Sequence, residues 1–272
     1  MEAVKVSFTY PDGTEALREV TLGIPEGKRV ALIGPNGSGK TTLFFLWLGL
    51  FRPSAGEVRF WGKGLSYRRG ELEELRRKVG LVFQDPEDQL LAPTVWEEVA
   101  WGLWARGYEG QLVEEKVRTA LQAVELFDQR HKPPHLLSYG QKKRLCLAAV
   151  LALEPEVLLL DEPTAGLDPG QTKRLLHFLS GLKGCTIVFS TQDVDLAYSF
   201  AEHLFVLWRG RLVAEGRPAE VLAQADFMEE VGLGSDRPVV LRLYQVLKEK
   251  GKISPGGSPP TRWEELVALL EG

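Results

Sequence analysis

The chain has 272 residues, 44% hydrophobic and 26% charged, and carries a net charge of −4. That is a globular composition, long enough for one large domain or one and a half, and its acidic balance (pI about 5.7) speaks against a nucleic-acid footprint. The longest apolar run, 43–51, falls short of the roughly 17–25 residues that a bilayer crossing takes, so a cytoplasmic protein is expected, with any membrane role coming through a partner.

The N-terminus, MEAVKVSF, opens on strand-like alternation without a charged-then-apolar leader. Strands are predicted over 4–10, 17–24, 29–34 and 57–61, bounded by Gly and Pro. An apolar helix over 41–51 directly follows a glycine-rich loop. Residues 79–84 form a further short buried strand, and from Pro93 to about Leu153 the apolar positions recur at helical spacing. Two buried strands follow, 157–161 and 186–191, and a hairpin, LFVLWRGRLVAEG, closes the core near Gly216. Strands alternating with helices predict an α/β fold with a mostly parallel sheet and an antiparallel N-terminal portion. After Gly216 the composition changes to short helical segments separated by SDRP and SPGGSPP. The last of these, 261–270, opens with a T-x-x-E capping box, Thr261 and Glu264. Residues 1–216 are therefore expected to form the core, with a helical subdomain over about 85–155, and 217–272 a small helical extension. The cysteines, Cys146 and Cys185, lie in apolar stretches without metal-ligand spacing and read as buried thiols in a reducing compartment.

Three stretches carry chemistry. GPNGSGKTT, 34–42, fits G-x-x-x-x-G-K-[ST] between a strand and a helix. Gly34, Gly37 and Gly39 let the backbone amides of the loop, with Asn36 and Ser38, turn inward around phosphates. Lys40 can reach the β- and γ-phosphates, and the Thr41 hydroxyl can ligate Mg²⁺. VLLLDE, 157–162, is an apolar strand ending in two carboxylates. Asp161 would meet the Mg²⁺ shell, and Glu162 would stand near the attacking water as general base. LSYGQ, 137–141, opens a helix with S-x-x-Q spacing. An ordinary N-cap explains Ser138 and Gln141, and the same helix end, with an exposed Ser hydroxyl and a bare Gly140 backbone, also suits an anion.

LSYGQ resembles the LSGGQ signature of ATP-binding-cassette (ABC) ATPases. With GPNGSGKTT, Gln84 after a strand, DEPTAGLD and a strand-end switch position, five elements stand in that family's order over about 1–216. The resemblance implies an ABC-type P-loop ATPase core that binds ATP and Mg²⁺ and works as a head-to-tail dimer. Tyr10 matches the aromatic that stacks on adenine. Gln84 matches the loop glutamine that contacts Mg²⁺ and relays to a membrane subunit, and Asp168 matches the loop at the dimer interface. ATP held by one subunit's Lys40, Thr41, Asp161 and Glu162 is closed by the other's Ser138, Gly140 and Gln141. The stretch KGLSYRRGELEELRRKVGLVFQDPEDQLLAPT is similar to the ATPase subunits of energy-coupling-factor (ECF) transporters, especially the cobalt/nickel (CbiO-like) branch. In that branch the segment 85–91 and the helix opened by Thr94-x-x-Glu97 dock a transmembrane coupling subunit, and the C-terminal extension dimerises. Such importers carry micronutrients, metal ions or vitamins, through a separate membrane substrate-binding subunit, with the ATPases peripheral on the cytoplasmic face. The second ATPase of the dimer can be the same chain or a different one.

Gln192 departs from the family pattern, which has a histidine that touches the γ-phosphate there. Glutamine has similar reach and can donate one hydrogen bond and accept another, but it cannot be protonated. Two readings follow: a working substitute, as in small GTPases that position water with glutamine, or a degenerate subunit that binds ATP and hydrolyses it poorly. An ABC ATPase acting on DNA is the remaining alternative. The compact spacing and acidic charge stand against it, and no nucleic-acid partner is expected.

Overall fold

The computed structural model describes residues 1–234, 238–253 and 259–271. In chain order the elements are β1 (Glu2–Thr9), β2 (Glu15–Gly23), β3 (Arg29–Ile33), α1 (Lys40–Trp47), β4 (Ala55–Phe60), β5 (Lys63–Gly64), α2 (Arg69–Lys78), β6 (Val79–Val82), α3 (Val95–Ala105), α4 (Gly110–Ala123), α5 (Tyr139–Leu151), β7 (Val157–Leu160), α6 (Pro169–Gly181), β8 (Thr186–Thr191), α7 (Val194–Phe200), β9 (His203–Trp208), β10 (Arg211–Gly216), α8 (Pro218–Val221), α9 (Ala225–Glu230), α10 (Val239–Glu249) and α11 (Trp263–Glu271). They fall into two compact units, Met1–Tyr67 with Ser190–Gly272, and Arg68–Phe189.

In the first unit β1 pairs antiparallel with both β2 and β4, and β4 with β5. Ala3, Val6 and Phe8 of β1 and Leu17, Val20 and Leu22 of β2 all turn inward, because register shifts, with Lys5 and Glu19 left-handed, break the strict alternation between Ala3 and Val6 and between Leu17 and Val20. β3 lies parallel to β9, from Val30 opposite His203 to Ile33 opposite Val206, and β9 is antiparallel to β10. Residues Val30 to Ile33 have no exposed surface, as expected of a parallel strand covered on both faces. Helix α1 is apolar almost all round and buries Leu43, Phe44, Leu46 and Trp47.

In the same unit, α10 and α11 meet around Tyr244, Ile253 and Leu266. Two bonds tie this extension to α7: the Tyr198 hydroxyl donates to the Pro260 carbonyl (2.9 Å), and the Val239 amide donates to the Asp195 carboxylate (2.7 Å). The expected cap of the last helix is displaced by one residue. Because α11 starts at Trp263, it is the Glu265 carboxylate, third in the helix, that accepts from the Thr261 amide (2.7 Å) and hydroxyl (3.2 Å) rather than Glu264. Of the expected breaks SDRP and SPGGSPP, residues 235–237 and 254–258 lie outside the described residues.

In the second unit β6 is parallel to β7 and β7 to β8. Helices α3, α4 and α5 enclose an apolar core that includes Val99, Leu103, Val117, Leu121, Leu145 and Ala148. Helix α2 has no counterpart in the sequence reading, because RGELEELRRK sets only two apolar side chains, half-buried Leu72 and buried Leu75, among seven charged ones. Arg106 secures its end, donating to the carbonyls of Arg76 (3.2 Å), Arg77 (3.0 Å) and Leu153 (2.8 Å). No helix among the described residues is long and apolar enough to cross a membrane.

Candidate functional site

The expected phosphate loop lies between β3 and α1 in the first unit. Gly34 is fixed by close approach: a Cβ there would stand 2.1 Å from the Leu207 carbonyl oxygen. Ser38 is buried, and its Oγ has no hydrogen-bond partner among the described residues. A buried hydroxyl in that state is costly unless something completes it, and a phosphate oxygen does so. Lys40 is buried too, its ammonium donating to the carbonyls of Gly34 (2.8 Å) and Pro35 (3.1 Å), so it rests inside the loop. Gly39, in a left-handed conformation, precedes α1 without any side-chain cap, leaving the helix N-terminus facing the loop. Thr41 is half-buried, while Asn36 and Gly37 are exposed. Thr42 is buried and its Oγ1 is hydrogen-bonded to the Tyr10 hydroxyl at 2.9 Å. The Tyr10 ring meets Phe8 and Phe51 edge-on, at 5.0 and 5.8 Å between centroids. Tyr10 thus sits at the end of β1, anchored to the first turn of α1.

Gly34→Ala is expected to lose nucleotide binding and to lower stability by about 1–3 kcal/mol or more, the cost of overpacking against a rigid backbone atom. Urea unfolding together with a nucleotide-binding titration measures both.

Gln192 belongs to the same unit and is exposed, one residue beyond β8. It is followed by a firm turn: Asp193 donates its amide to Thr191 Oγ1 (3.0 Å), and its carboxylate caps α7 by accepting from Leu196 (3.0 Å). His203 begins β9 beyond the far end of α7, its ring against Phe205, where it does not take the place of a switch histidine.

In the second unit, Asp161 is buried just past β7, and its amide donates to the Val82 carbonyl (2.9 Å) at the end of β6. Glu162 is left-handed, with φ +43°, a conformation that costs a non-glycine residue roughly 1–2 kcal/mol. Lys143 of α5 reaches this turn and donates to the carbonyls of Glu162 (2.8 Å) and Pro163 (3.3 Å). Burial pulls the Lys143 ammonium down to about 8, against the opposing pull of nearby acidic groups, Glu162 first. Nothing in the basic run YGQKKR marks Lys143 apart from its neighbours in sequence.

The capping box of LSYGQ is present: Ser138 Oγ accepts from the Gln141 amide (3.4 Å), and the Gln141 side chain accepts from the Ser138 amide (2.8 Å). Gly140, expected to offer bare backbone, is instead buried beneath Gln171, whose side chain lies 2.5 Å from where a Cβ would be. At this helix end the surface consists of Ser138 and Tyr139. Asp168 caps α6, accepting from the Gln171 amide at 2.8 Å. Gln84 is exposed beyond β6, and its carbonyl accepts from the Tyr139 hydroxyl at 3.4 Å.

The 85–94 segment is held from within. The buried Glu98 carboxylate accepts from the amides of Leu91 (2.8 Å) and Ala92 (2.7 Å), and Thr94 with Glu97 forms the expected cap of α3. Such charge-assisted bonds are among the stronger ones. This bracing leaves Leu91 87% exposed, beside a helix with Trp101 65% and Trp104 47% exposed. Cys146 is buried and Cys185 half-buried, and burial pushes their thiols up to about 12 and about 11, so neither is a nucleophile at neutral pH.

The family described as ABC transporter matches residues 17–165. A relative named energy-coupling factor transporter ATP-binding protein EcfA, from Methanocaldococcus jannaschii, is 44% identical over 93% of this chain and 91% of its own. A longer relative from Methanosarcina mazei is 41% identical across the whole chain, which spans 60% of its length. Among solved structures, cbiO1 of Clostridium perfringens, described as part of the ABC transporter complex cbiONQ, is 35% identical. It superimposes with a TM-score of 0.76 over 91% of this chain and 98% of its own. A dimeric ATP-binding cassette bound to ADP and Pi is 31% identical, with a TM-score of 0.73 over 80% of this chain and 98% of its own. Phosphate loop, acidic strand end and LSYGQ helix, together with these likenesses, place the chain in the ABC transporter family as an ATP-hydrolysing, ATP-binding subunit of the energy-coupling-factor type.

Proposed function

We propose that this subunit drives uptake of a micronutrient, a cobalt or nickel ion or a vitamin, from the cytoplasmic face of the membrane. It would act with a second ATPase subunit, a transmembrane coupling subunit and a membrane substrate-binding subunit. The observation that carries this reading is the exposure of three large apolar side chains, Leu91 on the braced loop and Trp101 and Trp104 on α3. Large exposed aromatic and aliphatic side chains on a rigid support suit a buried partner contact, and Glu98 holds the loop ready for it. The core over 1–216 and the extension over 217–272 are read as separate functional parts. Exposed Val246, Trp263, Leu269 and Leu270 on α10 and α11 support the second as a dimer contact.

Within this reading, the loop amides, Ser38 and Lys40 hold the phosphates, and Tyr10 stacks on the adenine. Thr41, Gln84 and Asp161 supply hydroxyl, amide and carboxylate oxygens, the donors that Mg²⁺ takes. The metal would neutralise charge developing on the phosphates. Glu162 accepts a proton from the attacking water, and Gln192 lies at the γ-phosphate. Ser138 and Gln141 complete the partner's site, with Gly140 behind them beneath Gln171, and Asp168 lines the interface.

The test is co-purification with the membrane subunits and an uptake assay. Replacing Leu91 with Asp and Trp101 with Ser in one variant is expected to abolish co-purification and uptake while leaving nucleotide affinity within about twofold, since these residues stand apart from the phosphate loop in sequence and are exposed. Full retention of the complex would remove the docking assignment.

A further inference from the structure

We propose that Lys143 is a positioning residue for hydrolysis, holding the backbone of Glu162 in the left-handed turn that aims its carboxylate. The inference rests on the reading of Glu162 as general base. A lysine is seldom buried without a strong reason, and this one is 5% exposed. Its ammonium is directed at two successive main-chain carbonyls, those of Glu162 and Pro163. Those carbonyls follow directly on the Cα of Glu162, the one residue of the acidic strand end whose backbone is left-handed without being glycine. A non-glycine residue stays in that region only where its surroundings over-determine it, and two charge-assisted bonds to the same turn are such surroundings.

Tyr139 supports the grip from one turn earlier on the same face of α5. The Lys143 ammonium lies 5.7 Å from the centroid of its ring, within cation–π range. The ring also occupies the space beside Gly166, where an added Cβ would come within 2.6 Å of Tyr139 Cε1. Gly166, at φ +75°, thus accepts the ring because it has no side chain. The helix capped by Ser138 therefore holds the 162–166 turn at both ends. The tyrosine that replaces a glycine of the LSGGQ pattern is part of that hold. The basic run YGQKKR accordingly divides by direction: Lys142 pairs with Glu87, Arg144 donates to the Val124 carbonyl and to Glu125, and Lys143 alone of the three reaches the 162–163 turn.

The experiment is steady-state ATP hydrolysis by the full-length chain assembled with its membrane subunits, alongside nucleotide affinity and thermal melting. The variants are Lys143→Met, Lys143→Arg, Lys143→Gln and Glu162→Gln. Lys143→Met is expected to lower kcat about tenfold with ATP affinity within twofold. Lys143→Arg, which keeps donors for both carbonyls and has a cavity of about 30 Å³ beside it, should recover most of the rate. Lys143→Gln, with one amide group in place of the ammonium, should fall between and serves if the methionine variant does not fold. An unchanged kcat in Lys143→Met, with Glu162→Gln inactive, overturns the positioning role alone. A parallel loss of kcat and nucleotide affinity, or no recovery with arginine, makes Lys143 a general structural residue and overturns it as well. Wild-type turnover by Glu162→Gln removes the base assignment, and the inference with it.

Discussion

Glu162→Gln is expected to cut steady-state ATP hydrolysis by about 10²–10⁴-fold while leaving ATP bound, the range typical of removing a general base. That corresponds to about 3–5 kcal/mol of transition-state stabilisation. The amide keeps the size of the carboxylate and can still accept a hydrogen bond from water, but it cannot take the proton. Nothing else in the acidic strand end changes: Asp161 stays buried on the Val82 carbonyl, and Lys143 still finds the carbonyls of residues 162 and 163. Binding should therefore survive, and ATP should accumulate in a closed dimer visible by size-exclusion chromatography. A variant that neither hydrolyses nor dimerises with ATP would count against the closed-dimer scheme itself. One that hydrolyses normally would count against the carboxylate.

The phosphate loop was legible because its chemistry is local. A glycine-rich turn between a buried strand and a helix needs no distant residue to be recognised, and the structure has that turn between β3 and α1. The paired carboxylates and the S-x-x-Q cap were legible for the same reason. What stayed hidden depended on contacts across the fold. Lys143 reads as one of three solvated basic residues until the 162–163 turn is seen beside it, and Gly140 reads as open backbone until Gln171 is found covering it. Helix α2 escaped because seven of its ten residues are charged and only Leu72 and Leu75 mark its apolar side. The last helix cap moved from Glu264 to Glu265 because two residues before Trp263 stay outside the helix. Boundaries of that kind are set by one hydrogen bond more or less.

Gln192→His is expected to raise turnover of the assembled transporter by about tenfold. The ABC resemblance puts a hydrogen-bond donor to the γ-phosphate at this position, and a bond to a charged group contributes about 1.5–3 kcal/mol, ten- to a hundredfold in rate. Glutamine keeps part of that contribution through its amide N–H₂, which sets the expected gain at the lower end. The local structure supports a clean exchange. Residue 192 is exposed, and the turn around it is fixed by Thr191, Asp193 and Leu196 rather than by its own side chain, so the substitution should leave melting temperature unchanged. Gln192→Ala completes the comparison. With glutamine keeping part of the contact, alanine is expected to slow turnover while histidine gives the tenfold gain. No gain with histidine would mark glutamine as a full working substitute, and no loss with alanine would mark the switch as degenerate. In a heterodimer whose other site carries its own switch residue, both changes shrink, because the Ser138–Gln141 element of this chain would still close a competent partner site.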